Sequence, residues 1–260
     1  LDLHVLPPGG SPAGRRTLPV EVEDRGALIT GRDGSVILAA TGRLYTRPPG
    51  GRFDDGVRVS FAVEQVALAP DGRVGIVGLE PLRFTEAGGD FGRVLVAERP
   101  AGATAFGSAR RAPVPRDAFA PALAFDGASR RVVSWIRDRV TDPFEETEIG
   151  ELASGVATIW AGGAPQALDR TAGDVLVAGL PAGVLVVSDG DGDGWSSAVV
   201  GPDAVRRLRG PTGRPMSVED FAAGDLAAGP RRAVLAWAGV PDGGTRVALA
   251  DVRATARRRG

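Results

Sequence analysis

The chain alternates short apolar runs with turns that are rich in Gly, Asp and Pro. In Arg93–Asp138, for example, the runs RVLVAER and RVVSWIRD are separated by Pro-Gly and Asp-Gly sequences. Runs of this length, bounded by turn residues and containing β-branched and aromatic residues, predict β-strands joined in a meander. No segment combines the 3.6-residue period of an amphipathic helix with capping residues. The pattern therefore predicts an all-β fold with little or no helix.

A pair of apolar runs repeats along the chain. Each pair has an apolar run, a turn containing Gly or Asp, and a second, stronger apolar run. The second runs recur about every 49 residues, close to the roughly 40–50 residues of a four-stranded propeller blade. The pairs are Ala27–Ala40, Val66–Gly78, Ala122–Arg137, Val175–Val187 and Asp225–Ala238.

An outer strand that ends in a Pro-Gly turn recurs between these pairs. Its clear copies are Leu1–Gly14, Arg43–Phe53 and Arg93–Gly107, with an eroded copy in Ile149–Asp169 and a last copy from Thr245. We interpret residues 1–260 as a single β-propeller domain of five or six four-stranded antiparallel blades, and the chain starts inside a repeat. It is either truncated or closed into a ring by its terminal strands, and closure would pair strand edges that are otherwise exposed.

These repeats resemble a group of secreted bacterial repeat proteins whose blades alternate RPAGGxFG with VAxDxxGxAVVAWxR. The matching segments are Glu98–Gly107, Ala122–Arg137 and Leu226–Trp237, and Trp135 and Trp237 occupy the same place in their copies. Such proteins are similar to sialidase-like and WD40-like β-propellers. The resemblance implies a propeller and an exported location, extracellular or on the cell surface. It implies no single activity, because one fold hosts many functions.

Composition excludes several classes of protein. The net charge is -1, from 31 basic and 32 acidic residues, so nothing draws the whole molecule to nucleic acid or anionic lipid. No apolar run approaches the roughly 18 residues of a membrane span. The absence of cysteine excludes disulfides and thiol chemistry. Since the first residue is not methionine, we expect a processed or truncated form, from which a signal peptide would already be gone.

The sharpest local feature is the sequence SDGDGDGW, Ser188–Trp195. Asp189, Asp191 and Asp193 alternate with glycines, so a tight curl of the chain would direct three carboxylates at a hard cation such as Ca²⁺. The spacing agrees with the start of an EF-hand loop, but the twelfth position is Val200 and the flanks predict strands.

The segment is more similar to the calcium hairpins of integrin-type propellers, with Ser197 in place of a further acidic residue. It also resembles the sialidase Asp-box at Ser188, Gly192 and Trp195, but departs from that motif at Gly190 and Gly194. The alternative is a polar hairpin whose Asp and Gly residues only form the turn. Trp195 is the one tryptophan that we retain as a candidate ligand contact.

The sequence offers weaker evidence for catalytic residues than for a calcium site. Tyr45 is the sole tyrosine and His4 the sole histidine; we interpret Tyr45 as a packing residue rather than a nucleophile, and His4 as a surface residue. The acidic segment from Asp142 to Glu151 favours a solvated loop, although paired carboxylates are also the machinery of glycosidases.

The sequence thus predicts a non-catalytic, exported binding or scaffold module that presents loops to a carbohydrate or protein partner. The alternatives are a sialidase-like or other glycan-acting hydrolase that uses acidic residues near Glu145, and a structural segment of a larger surface protein.

Overall fold

The computed structural model describes residues 2–4, 15–17, 27–31, 33–40, 42–84, 90–113, 118–138, 155–168, 175–190, 194–208, 223–228, 233–239 and 246–252. Every helix or strand element in these ranges is a β-strand. The all-β prediction is therefore confirmed for this part of the chain. Asp191 and Asp193, and the acidic segment from Asp142 to Glu151, lie outside the described residues.

The strands form successive antiparallel sheets along the chain. A two-stranded hairpin comes first, made of β1 (Asp2–His4) and β2 (Arg15–Thr17). The first meander contains β3 (Ala27–Thr30), β4 (Val36–Ala40), β5 (Arg43–Arg47) and β6 (Val57–Arg58). The second meander contains β7 (Ala62–Leu68), β8 (Val74–Phe84), β9 (Asp90–Arg99) and β10 (Arg110–Arg111).

The later sheets follow the same plan. The third meander contains β11 (Ala118–Phe125), β12 (Arg131–Asp138), β13 (Gly155–Trp160) and β14 (Gln166–Ala167). The fourth contains β15 (Val175–Leu180), β16 (Gly183–Gly190), β17 (Gly194–Val200) and β18 (Val205–Leu208). The C-terminal sheet contains β19 (Ala223–Ala228), β20 (Ala233–Gly239) and β21 (Arg246–Val252). A single pairing of Ala118 with Gly92 joins the second and third meanders into one eight-stranded sheet.

The predicted pairs of apolar runs correspond to the first two strands of each sheet, β3–β4, β7–β8, β11–β12, β15–β16 and β19–β20. The predicted outer-strand copies contain β1, β5, β9, β13 and β21. The sequence predicts four strands in each blade but does not give the bounds of the fourth, because β6, β10 and β14 have 2 residues each, too few to show a period.

The first turn of each of the first three meanders has the same geometry. In the first meander the amide of Gly34 donates to the carbonyl of Gly31 (3.0 Å), and the amide of Gly31 donates to the carbonyl of Ser35 (2.8 Å). Equivalent bonds join residues 69–73 and 126–130. This is a type I turn followed by a bulge, which requires a left-handed residue. Gly34 and Gly72 supply it, with φ near 85°, and Ser129 does so with φ 60°.

The innermost strands lie side by side in chain order, β3, β7, β11, β15 and β19, each in contact with the next. The first turns of the later meanders also touch. The Ser129 hydroxyl accepts a hydrogen bond from the amide of Asp71 (3.1 Å), and the amide of Gly127 donates to the carbonyl of Leu180 (2.9 Å). These turns therefore share one face of the molecule, the turn face. The opposite ends of the same strands form the connection face.

The core lies between neighbouring meanders, because alternate residues of a strand point to opposite faces of its sheet. In β12, Val133 and Trp135 pack in the cluster shared with the second meander. Val132 and Ile136 pack in the cluster shared with the fourth meander. Burial of both faces explains why this strand is an almost continuous apolar run rather than an alternating one.

Candidate functional site

A network of charged side chains crosses the turn face between the second and third meanders. The Glu98 carboxylate, in β9, accepts hydrogen bonds from Arg73 (2.9 Å) and from Arg131 of β12 (2.8 Å). Arg73 also donates to the carbonyl of Ser129 (2.6 Å) and pairs with Asp71 (3.1 Å). The Glu98 carboxylate therefore binds two arginines, one from each meander, and links the two meanders.

The pKa values of Asp71 and Arg73 favour the charged forms of these two side chains. The backbone amide of Arg73 donates to the Asp71 carboxylate, and this bond is the main cause that lowers the pKa of Asp71. Burial opposes the charge of Arg73, but its hydrogen bonds to Asp71 and Glu98 outweigh that effect and raise its pKa. Both side chains therefore remain ionised near neutral pH.

In two of the outer-strand copies, the arginine before the Pro-Gly turn lies over an aromatic ring. The guanidinium of Arg47 lies 5.9 Å from the ring centre of Phe53, and that of Arg99 lies 5.5 Å from the ring centre of Phe106. Such contacts stabilise by about 0.5–2 kcal/mol. The recurring arginine and phenylalanine therefore hold each Pro-Gly loop against the strand before it.

Arg99 also joins the second meander to the first. Its side chain is 8% exposed, and both terminal nitrogens lie 3.2 Å from the Thr46 hydroxyl oxygen. Burial lowers the pKa of Arg99, and the charge of Asp54 opposes this. The polar groups on the turn face thus serve contacts between meanders.

Sequence reasoning missed these residues as a group. Glu98 and Arg131 are 33 positions apart, and Arg73 and Glu98 are 25 apart, so no local motif connects them. The one available signal was the position of Glu98 directly before the Arg-Pro pair of an outer-strand copy.

Both of the acidic segments that the sequence singled out connect strands that end and begin at the connection face. Strand β12 ends at Asp138 and β13 begins at Gly155, so the residues between them, which include the acidic segment, connect strand ends at this face. Strand β16 ends at Gly190 and β17 begins at Gly194. The two segments therefore connect strands on the same face of consecutive meanders.

The predicted calcium segment occupies the tip of the β16–β17 hairpin. Asp189 pairs with Trp195, and Gly190 pairs with Gly194, so the described backbone brings Asp189 and Trp195 together across two strands. The flanking elements are strands, as the sequence predicted, and not the helices of an EF-hand. Among the residues that the structure describes, no group of three acidic, His or Cys side chains is arranged to hold a metal ion.

Two serines lie in the sheet below this tip. Ser188 is 3% exposed and Ser197 is 6% exposed. Ser197 stands opposite Val187 in the ladder, and its hydroxyl has no hydrogen-bond partner. Ser197, at the position of the further acid in the calcium hairpins, therefore belongs to the interior of the sheet.

The structure also describes the surroundings of other residues that the sequence singled out. Tyr45 of β5 stands opposite Leu38 and packs against Leu38 and Ala40, which confirms its interpretation as a packing residue. His4 pairs with Arg15 in the N-terminal hairpin. Trp135 is fully buried, and the ring of Trp160 lies 4.7 Å from the guanidinium of Arg131.

Comparisons with known proteins find likeness in fold rather than in sequence. No protein-family model matches the chain, and no curated protein matches it. Hydrazine synthase of Kuenenia stuttgartiensis is similar in structure, with a TM-score of 0.54, 13% identity, and coverage of 87% of this chain and 70% of that one.

Two proteins from Pyrococcus species are also similar to this chain in structure. The β-propeller domain of the Trilobed protease from Pyrococcus furiosus, described as having an open velcro topology, gives a TM-score of 0.51 at 9% identity, covering 91% of this chain and 70% of that chain. The acylaminoacyl peptidase of Pyrococcus horikoshii gives 0.55 at 10% identity, covering 91% of this chain but 38% of the peptidase. Among the described residues, no helix is long and apolar enough to cross a membrane. The successive antiparallel meanders and these neighbours show that the chain has a β-propeller fold.

Proposed function

We propose that the chain is an exported, non-catalytic binding module that presents its connection face to a carbohydrate or protein partner. The observation that carries this proposal is that β12 and β16 end, and β13 and β17 begin, at one face of consecutive meanders, so that both acidic connections start and finish at that face. The opposite face supports the same choice, because Glu98, Arg73 and Arg131 are engaged there in holding meanders together.

A carbohydrate is the partner that this chemistry fits best. Carboxylates accept hydrogen bonds from sugar hydroxyls, and an indole ring offers an apolar surface with a polar edge to the face of a sugar ring. Asp189 and Trp195 are paired in register across the β16–β17 hairpin, so one hairpin carries both kinds of residue. The export of the protein is supported by its resemblance to secreted repeat proteins.

The test is binding of the full chain to an array of glycans, compared among variants. Trp195→Ala is expected to weaken binding at least about tenfold, as the loss of an aromatic hot spot does. Asp203→Ala, an exposed position in the β17–β18 connection on the turn face, serves as the control and should bind normally.

The same protein should turn over none of a panel of fluorogenic glycosides. Turnover that Glu145→Gln abolishes would contradict a non-catalytic module and favour the glycan-acting hydrolase instead. If Trp195→Ala and the unchanged chain bind glycans equally well, the connection face is not the binding surface.

We propose in addition that Asp189, Asp191 and Asp193 bind Ca²⁺ at the tip of the β16–β17 hairpin. Ladder pairing extends to Gly190 and Gly194, so a short tip separates two closely spaced strands. The donor set consists of hard carboxylate oxygens, which Ca²⁺ prefers. Bound there, the ion would offset the repulsion among three like charges and fix the position of Trp195.

Calcium is expected to raise the melting temperature of the chain. At 100 times the dissociation constant, linkage gives about 2.7 kcal/mol of stabilisation, which corresponds to about 5–10 °C for a protein of this size. Thermal unfolding in EDTA and in millimolar calcium measures the shift. The calcium-dependent shift should be absent in Asp191→Ala and present in Asp203→Ala. If the unchanged chain melts at the same temperature in EDTA and in calcium, the segment is a turn that binds no calcium.

A further inference from the structure

The structure buries two charged side chains among the residues that it describes, Asp126 and Arg99. Asp126 is 3% exposed and Arg99 is 8% exposed. The Asp126 carboxylate lies 2.6 Å from the guanidinium of Arg130 and also accepts the backbone amides of Ala128 and Arg130. The charge of Asp126 is therefore compensated, as burial of a charge requires.

Arg99 has no such compensation. Its two terminal nitrogens share one neutral acceptor, the Thr46 hydroxyl oxygen, at 3.2 Å each, although a guanidinium carries five N–H donors. The Phe106 ring occupies one side of the guanidinium, with its centre 5.5 Å away. No carboxylate of the described residues lies within the 4.0 Å of an ion pair with Arg99.

The charge of Asp54 acts on Arg99 from a greater distance, and this carboxylate has other partners. Its Oδ1 atom accepts the backbone amides of Thr46 (2.8 Å) and Gly56 (3.1 Å). Asp54 therefore holds the Pro-Gly loop of the first meander against β5 and does not pair with Arg99.

Arginines that are more exposed than Arg99 do have carboxylate partners. Five of them lie 2.6–3.3 Å from a carboxylate oxygen, with side chains that are 20–61% exposed: Arg73, Arg93, Arg111, Arg130 and Arg131. Both the desolvation of a cation and its attraction to an anion increase with burial. The arginine that most needs an anionic partner is thus one that the described residues leave without a carboxylate.

The preceding copy of the outer strand has the same arrangement. Arg47, like Arg99, comes directly before a proline and lies over a phenylalanine ring, that of Phe53. Its Nε atom is buried and has no hydrogen-bond partner. The buried arginine without a carboxylate therefore recurs in two successive copies.

We propose that Arg99 is the centre of an anion-binding site at the junction of the first and second meanders, and that its ligand is a carboxylate, either free or as the acid group of a sugar. A carboxylate is planar and accepts two parallel hydrogen bonds from a guanidinium. The small exposed fraction of Arg99 admits one small group. Arg99 ends β9 at the turn face, so this site is separate from the connection face proposed above.

Thermal unfolding in increasing concentrations of sodium acetate tests the site, at constant pH and with sodium chloride added to keep the ionic strength constant. The melting temperature of the unchanged chain should rise with the logarithm of the acetate concentration above the dissociation constant, because the ligand binds only the folded state. Arg99→Met should lose this rise. Arg110→Met, at an exposed position in β10, should keep it. Equal rises in the unchanged chain and Arg99→Met, or no rise in the unchanged chain, would overturn the proposal.

Glucuronate and glucose identify the source of the carboxylate. If glucuronate acts at lower concentrations than acetate, the ligand is the acid group of a sugar; if the two act alike, a free carboxylate is sufficient, and both results support the site. Glucose carries no carboxylate and should leave the melting temperature unchanged. A rise with glucose equal to that with glucuronate would contradict recognition of the acid group.

Arg99→Lys keeps the test valid even if Arg99→Met does not fold. Lysine retains the positive charge but lacks the parallel pair of N–H donors, so the dissociation constant for acetate should rise at least about tenfold. A crystal structure of the unchanged chain in acetate should place the carboxylate about 2.7–2.9 Å from the Arg99 nitrogens. An unchanged dissociation constant in Arg99→Lys, or acetate bound only elsewhere, would overturn the proposal.

Discussion

Replacing Trp135 with alanine is expected to lower the free energy of unfolding by about 3–5 kcal/mol, the range for removing a large aromatic side chain from a core. Trp135 is 0% exposed and lies in the cluster between the second and third meanders. The cavity would open at a junction where strands of two meanders meet, so it cannot be filled by moving one loop. Denaturant unfolding of the purified variant measures the loss.

Two variants separate this effect from a general loss of aromatic area. Trp160→Ala should cost clearly less, because Trp160 is only partly buried and sits at the edge of the same cluster. Trp135→Phe should retain most of the stability, since it keeps much of the apolar area and removes an indole N–H that has no hydrogen-bond partner. Equal losses in Trp135→Ala and Trp160→Ala would mean that this junction is not the principal core.

Replacing Gly78 with alanine is expected to cost about 3 kcal/mol, the upper end of the usual range for overpacking. A Cβ on Gly78 would overlap the carbonyl oxygen of Ala62 in the neighbouring strand and lie 2.8 Å from its carbonyl carbon. Both atoms are backbone, so relief requires β7 and β8 to move apart beside the bulge at Val63 and Gln65. Thermal and denaturant unfolding should both show the loss.

Gly163→Ala is the matched control for this substitution. A Cβ at Gly163 would meet no atom within 4 Å, and the residue lies in a surface connection. The free energy of unfolding of Gly163→Ala should differ from that of the unchanged chain by no more than about 0.5 kcal/mol. A loss in Gly78→Ala as small as that in Gly163→Ala would contradict the close pairing of β7 with β8.

Most of the strand pairs could be predicted from the sequence, and the reason is local. Each pair such as Val66–Gly78 contains its own turn, and the Asp and Gly residues of that turn specify the bulged geometry seen at residues 69–73. The propeller fold followed from the period of these pairs. The number of blades and the closure of the ring stay predictions.

The rest depends on contacts that no local pattern encodes. The bulge in β11 between Phe119 and Ala122 places Ala120 at φ 45°, and alanine is not a residue that signals such a conformation. Glu98 has partners in two meanders, which only the packed structure brings together. The hairpin from Asp189 to Trp195 was predicted as a hairpin; its calcium and its ligand stay predictions.

The junctions between meanders differ from one another in their polar contacts. Arg99 reaches Thr46 at the first junction, whereas Gln65 accepts the amide of Leu123 (2.5 Å) and Ser129 binds Asp71 at the second. A gene duplication that copied one meander into a new place would therefore leave donors and acceptors without partners on both sides of the insertion. Gain or loss of a meander would therefore require changes in the flanking residues, and the polar contacts make each of these meanders specific to its place in the order.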